Sequence, residues 1–209
     1  MPNVHGLFAT PFYSDYIHSA SEYADILSSL EFKRPNDHTG FVSVNTYVLE
    51  LDELAKLKQD IQNHVNNYAY NICGLSDAYD FYITNSWVMK HGEGDKAGRH
   101  YHSNCMFSGI LYLKCEPNSG EITFHKNWFI PTVVPQMLEL DVDEYNAFNA
   151  DSYTIVPEQN QIILFPSHLE HSVAKCRTQQ ERLCLPFNVF LKGELGHHSE
   201  IQTSRIDFK

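Results

Sequence analysis

The sequence predicts a mainly β protein: a jelly roll or cupin-like barrel with a few N-terminal helices packed on one sheet. Three observations carry that expectation. From Asp80 onward, eight short runs rich in β-branched and aromatic residues follow one another. Turn-forming clusters at 92–98, 117–120 and 157–160 separate them. Before Asp80, helical spacing interrupts the β pattern. A chain of 209 residues is long enough for one such barrel. The expected division is therefore a single domain over 1–209, with an α/β support at 1–79, a barrel core at 80–193 and a tail at 194–209.

Taken in order, Leu7 to Tyr13 reads as a strand. Ser19 or Ser21 is placed to cap a short helix burying Tyr23, Ile26, Leu27 and Leu30. Val42 to Leu49 is β-rich. Leu51, Leu54, Ile61, Val65, Tyr68 and Ile72 then recur at helical spacing, and Asp52 and Glu53 suit the positive N-terminal end of that helix. The eight runs are 81–84, 86–89, 107–113, 121–124, 153–156, 161–165, 171–173 and 183–191. The stretch from Asn127 to Asp151, with Pro131 and Pro135, has the length of a lid or substrate-facing insertion.

Composition narrows the function classes. A net charge of −11 and no run of Lys and Arg argue against nucleic-acid binding. No apolar run reaches the ~20 residues of a membrane span, and the N-terminus lacks the charged and apolar regions of a secretory signal. A cytoplasmic protein without a membrane partner is expected. Five cysteines without CxxC spacing suggest reduced thiols rather than disulfides or a zinc ribbon.

The chemistry-bearing pattern is His100-Tyr101-His102, with His171 following 69 residues after His102. On a strand, residues i and i+2 share a face, so both imidazoles can meet one metal, and a later strand can bring His171 alongside. Three protein ligands leave coordination positions open, which suits an oxygen-activating iron or a catalytic zinc. Asn104 falls on the same side if the strand continues, as a substrate contact. With 12 histidines in the chain, the neighbours of the pair matter. A glycine-rich turn, Gly92 to Gly98, precedes it. The strand Ser108-Gly109-Ile110-Leu111-Tyr112-Leu113 follows, then Ser119-Gly120-Glu121-Ile122-Thr123-Phe124, and Ile162 to Ser167 lead into His171.

That order resembles the Fe(II)/2-oxoglutarate-dependent oxygenases of the double-stranded β-helix fold, in particular a bacterial and phage branch of them. The likeness extends from Leu7-Phe8-Ala9-Thr10-Pro11 through Asn85-Ser86-Trp87 to Arg182-Leu183-Cys184-Leu185-Pro186-Phe187-Asn188. The resemblance implies His100, His102 and His171 as metal ligands, with His102 where a carboxylate usually stands. It implies Arg182, 11 residues after His171, as the anchor of the distal carboxylate of 2-oxoglutarate. Tyr112 would assist, and Asn188, alternating with Arg182, would share its face. Cys184 stands where Ser or Thr often follows the arginine. Fe(II), 2-oxoglutarate and O2 are the implied cofactors. The implied reaction is hydroxylation of a C–H bond of a small molecule, an amino-acid side chain or a nucleobase. A homodimer is left open by the sequence.

Two other readings remain open at this level. A cupin-type dioxygenase or isomerase fits Gly94 and the HxH pair, although no cupin glutamate follows among Ser103 to Phe107. A non-catalytic barrel with a closed zinc site would need a fourth ligand, such as Cys105 or His168.

Overall fold

The computed structural model describes residues 6, 8–36, 39–126, 141–196 and 203–207. The N-terminal third supplies β1 (Tyr13–Tyr16), a 3-10 turn running into α1 (Ala24–Ser28), β2 (Phe32–Lys33), β3 (Phe41–Ser43) and α2 (Ala55–Asn66). A six-residue π-helical turn extends α2 to Ile72. There follow β4 (Asp80–Ser86), β5 (Met89–His91), β6 (Ala97–His100), β7 (Phe107–Lys114), β8 (Ile122–His125) and β9 (Ser152–Ile155). The last strands are β10 (Gln161–Pro166), β11 (His171–Val173), β12 (Arg182–Leu195) and β13 (Ser204–Ile206).

These strands form two antiparallel sheets. The larger has the order β1-β10-β7-β12-β5-β3-β2, with β4 and β13 also paired to β12. The smaller has the order β6-β11-β8-β9. Strand alternation explains how they pack. One set of side chains, Ile110, Tyr112, Ile163, Phe165 and Cys184 from the larger sheet with Ile122 and Phe124 from the smaller, fills the space between the sheets. The intervening set, Leu111, Leu113, Ile162, Leu164, Leu183, Leu185, Phe187 and Val189, faces the helical layer. There α2 contributes Leu57, Ile61 and Val65, each fully buried and each stabilising by about 1.5–3 kcal/mol on burial. The result is the expected jelly roll with helices on one sheet. Among the described residues no helix is long and apolar enough to cross a membrane. All five cysteines are free thiols.

Several boundaries differ from the sequence expectation. The first strand begins at Tyr13 rather than earlier, and Leu7 lies outside the described residues. Neither Ser19 nor Ser21 caps the first helical turn. The Asn160 side chain instead accepts from the Ser21 N–H at 2.8 Å, across the barrel end. Only Leu27 of that helix's four candidate core residues is fully buried, and Ile26 faces outward. Val42–Leu49 divides into β3 and a 3-10 turn at Val48–Glu50. Ile72 is exposed because the π-helical turn rotates it off the buried stripe. The run 86–89 is interrupted at Trp87-Val88, between β4 and β5.

Two divisions gain detail from the structure. Residues 1–79 contribute β1, β2 and β3 to the larger sheet itself, so they are part of the barrel wall. The expected tail is partly structured: Gly193 to Leu195 pair with Ser204 to Ile206. Within that tail His197 and His198 lie outside the described residues, as do residues 127–140 of the long insertion.

Gly109 shows how tightly the larger sheet is fitted. It lies opposite Phe187 in the β7–β12 register, and a Cβ there would stand 2.2 Å from the Phe187 ring. G109A should therefore destabilise the fold by about 1–3 kcal/mol through overpacking. In urea unfolding, the double variant G109A/F187L should cost less than the sum of the two single substitutions. Strict additivity would show that ring and glycine are not coupled.

Candidate metal centre

His171 opens β11, paired with His100 at the end of β6 on one side and with Phe124 of β8 on the other. The Phe165 and Phe124 rings flank it at centroid distances of 5.0 and 5.9 Å. His102 lies beyond the end of β6, and its backbone N–H donates to Ser167 O at 3.0 Å, which keeps it beside the third histidine's loop. The ring centroids of His100, His102 and His171 lie 4.3–5.5 Å apart. Potential ligand atoms from the three all fall within 4.8 Å of one another. Among the described residues this is the only such cluster. Neither Cys105 nor His168 joins it, so the fourth ligand of a closed zinc site is missing from the described residues.

The strand does not continue as the HxH spacing suggests. β6 ends at His100, and Asn104 adopts a left-handed φ of 61° in an exposed turn. Asn104 therefore does not share a strand face with the two histidines, and the geometric basis for its substrate contact is lost.

Every ring of the cluster has its Nδ1 turned to an oxygen. His100 Nδ1 lies 2.7 Å from Gly98 O, His171 Nδ1 lies 3.0 Å from Leu169 O, and His102 Nδ1 lies 2.7 Å from Asn188 Oδ1. A carbonyl oxygen can only accept, so Nδ1 carries the proton and Nε2 presents a lone pair. Burial lowers the pKa of His102, with the Asn188 bond opposing and the His100 charge reinforcing the shift. His171 is pushed down to about 3, chiefly by burial, with the other histidines adding to the effect. These two rings are neutral at neutral pH, the form a metal requires.

Arg182 begins β12 at the far end of the same interior and is almost fully buried. Its Nη1 donates to Gly120 O at 2.7 Å and its Nη2 to His91 Nδ1 at 2.7 Å. None of the described carboxylates forms an ion pair with it. Cys184 and Tyr112 lie close enough to feel its charge, yet burial raises both pKa values, so neither supplies an anion. Arg182 Nε, His91 Nε2 and Ser119 Oγ, neighbours at this end, are buried without hydrogen-bond partners among the described residues. A buried cation without a counter-charge is costly, and these unpaired donors could receive an anion.

Arg182, Cys184 and Asn188 do share the inward face expected from alternation. Asn188 is nonetheless spent on His102, not on Arg182's end of the cavity. Tyr112 is inward and buried. Three contributors were not assigned a role from the sequence. His91 gave no signal, because its approach to Arg182 depends on β5–β12 pairing. Ser108 faces Asn188 across β7 and β12. Trp87 stands against His102 at 5.8 Å.

Residues 85–188 match the family model described as "Putative 2OG-Fe(II) oxygenase". The chain belongs to the 2OG-Fe(II) oxygenase family. It is an enzyme of that class, whose cofactors are Fe(II), 2-oxoglutarate and O2. No curated protein matches the sequence significantly. Among solved structures, the fold is similar to the α-ketoglutarate-dependent epimerase SnoN from nogalamycin biosynthesis (TM-score 0.62, 13% identity, 87% of this chain and 78% of that one). It is also similar to a Pseudomonas putida prolyl-4-hydroxylase (TM-score 0.56, 14% identity, 86% and 92%). A third is HygX from Streptomyces hygroscopicus with nickel and 2-oxoglutarate bound (TM-score 0.56, 12% identity, 87% and 83%). At these identities the likeness concerns the fold.

Burial and the Arg182 charge push His91 down to about 3, against about 6.5 in an unfolded chain. A base with a depressed folded pKa contributes full stability above about pH 6.5 and loses it progressively toward pH 3. Wild-type oxygenase should therefore lose more stability than H91Q between pH 7.5 and pH 4.5, measured as the change in urea midpoint. An equal loss in both proteins would show that His91 is not buried as a neutral ring.

Proposed function

We propose that this oxygenase holds Fe(II) with the Nε2 atoms of His100, His102 and His171, and holds the distal carboxylate of 2-oxoglutarate with Arg182. The overall reaction is then hydroxylation of a substrate C–H bond: substrate, O2 and 2-oxoglutarate give the alcohol, succinate and CO2. The observation that carries this reading is the buried Arg182 guanidinium, which has no carboxylate partner among the described residues and shares an interior with three convergent imidazoles.

The spacing between the two ends supports it. Val173 lies two residues beyond His171 on β11, hence on the same face. A Cβ on Gly120 would stand 3.4 Å from Val173 Cγ1 and 3.2 Å from Arg182 Nη1. The guanidinium thus lies near Val173, one side-chain repeat along β11 from His171, so the anchor and the histidine face share one wall of the interior. Gly120 has a φ of 102° and its would-be Cβ falls 2.6 Å from Ala174 O, so a side chain there would disrupt the anchor.

When bound, iron and 2-oxoglutarate together supply the oxidising chemistry. The chain's own residues prepare for it. His91 accepts from Arg182 as a neutral ring, so it orients the guanidinium without cancelling its charge. Phe124 and Phe165 wall the buried side of His171 and exclude water. His100 lies at the exposed end of β6, so the metal face opens toward solvent on its side. A dioxygenase using metal alone has no need of an unpaired buried guanidinium at this position.

Anaerobic addition of Fe(II) and 2-oxoglutarate should produce the visible metal-to-ligand charge-transfer band, and aerobic turnover should release succinate. R182M should need at least about tenfold more 2-oxoglutarate for the same band, from loss of a charge-assisted contact, with metal affinity little changed. Metal binding without the band, or an unchanged 2-oxoglutarate requirement in R182M, would overturn the cosubstrate assignment.

A further inference from the structure

We infer that Asn188 and Ser108 form a positioning clamp that holds His102 in the Nδ1–H tautomer, and that this clamp is what allows an imidazole to serve where a carboxylate would otherwise stand. The inference rests on the metal-binding reading above and concerns how that site is built. Ser108 and Asn188 are directly opposed on β7 and β12, at the point where both strands face the interior. Ser108 is fully buried and Asn188 nearly so. Ser108 Oγ donates to Asn188 Oδ1 at 2.9 Å. The hydroxyl hydrogen is then used, and Ser108 Oγ turns a lone pair toward His102 Nδ1 at 2.8 Å. Asn188 Oδ1 is 2.7 Å from the same nitrogen. Both oxygens around His102 Nδ1 are acceptors, so the nitrogen must donate.

The consequence is specific to histidine at this position. A carboxylate ligand has equivalent oxygens and no tautomer to select. An imidazole ligates through Nε2 only when the proton resides on Nδ1. His100 and His171 obtain that assignment from the backbone carbonyls of Gly98 and Leu169, two residues away in sequence. His102 lies past the end of β6 and has no such carbonyl, so its acceptor comes from side chains 6 and 86 residues away. An acceptor on Nδ1–H also raises the basicity of Nε2, and losing such a partner typically weakens metal affinity by about 10–100-fold.

The test uses the full chain, with Co(II) as an oxygen-stable optical probe of the site and a metal-free measurement beside it. Long-range 1H–15N correlation spectra of the metal-free protein at pH 8 should show His102 as Nδ1–H, with H102Q identifying its signals. N188L should move His102 toward the Nε2–H form and weaken Co(II) binding by at least about tenfold. N188D, which keeps the acceptor, should retain the tautomer and hold affinity near the wild-type value. S108A should weaken binding by a smaller factor. A packing role alone predicts the reverse ranking, because leucine fills a buried site better than a carboxylate does. The Nε2–H tautomer in the wild-type protein would overturn the clamp, as would N188L binding as tightly as N188D. Failure of the wild-type protein to bind Co(II) would instead count against the metal site, and the tautomer spectra would still decide the clamp.

Discussion

The alternation along β12 is the constraint on which the rest of this structure depends. Leu183, Leu185, Phe187 and Val189 face the helical layer, while Arg182, Cys184 and Asn188 face the space between the sheets. The outward set is fully or almost fully buried and anchors β12 between β7 on one edge and β4 and β5 on the other. A slip of one residue would send every one of these side chains to the opposite face. It would put a guanidinium and an amide into the apolar layer and take both out of the cavity. The hydrophobic layer remote from the proposed site is therefore what aims the residues that would build it.

Burial then sets the electrostatics. The interior holds neutral imidazoles, neutral thiols, a neutral phenol and one guanidinium with no counter-charge among the described residues. Low dielectric keeps His91 and His171 unprotonated and makes the remaining cation a strong attractor for an anion. Two histidines with depressed pKa values thus do different work. His171 offers a lone pair to a metal. His91 supports Arg182 without quenching it, which an Asp or Glu in the same place would do.

The fold is shared with enzymes whose names describe quite different products, an epimerase and a prolyl hydroxylase among them. The common element is the scaffold, and the outcome depends on what is presented at the open side of the metal face. In this chain His100, at the exposed end of β6, marks that side.

Much of this was legible in the sequence, because it depends on local spacing. Period-two runs announced the strands from Phe107 onward, and the period of Leu54, Ile61 and Val65 announced α2. The HxH pair with His171, and the alternation of Arg182 with Asn188, picked out the residues that the proposed site uses. What only the tertiary structure decided is which of them touch. The end of β6 at His100 removed Asn104 from the face, since strand propensity does not say where pairing stops. The β5–β12 register brought His91 to Arg182, and the β7–β12 register brought Ser108 and Asn188 to His102. The Arg182–His91 and Asn188–His102 contacts join residues 91 and 86 positions apart. No local pattern encodes such pairings, because they exist only once the sheets have closed on their apolar interior.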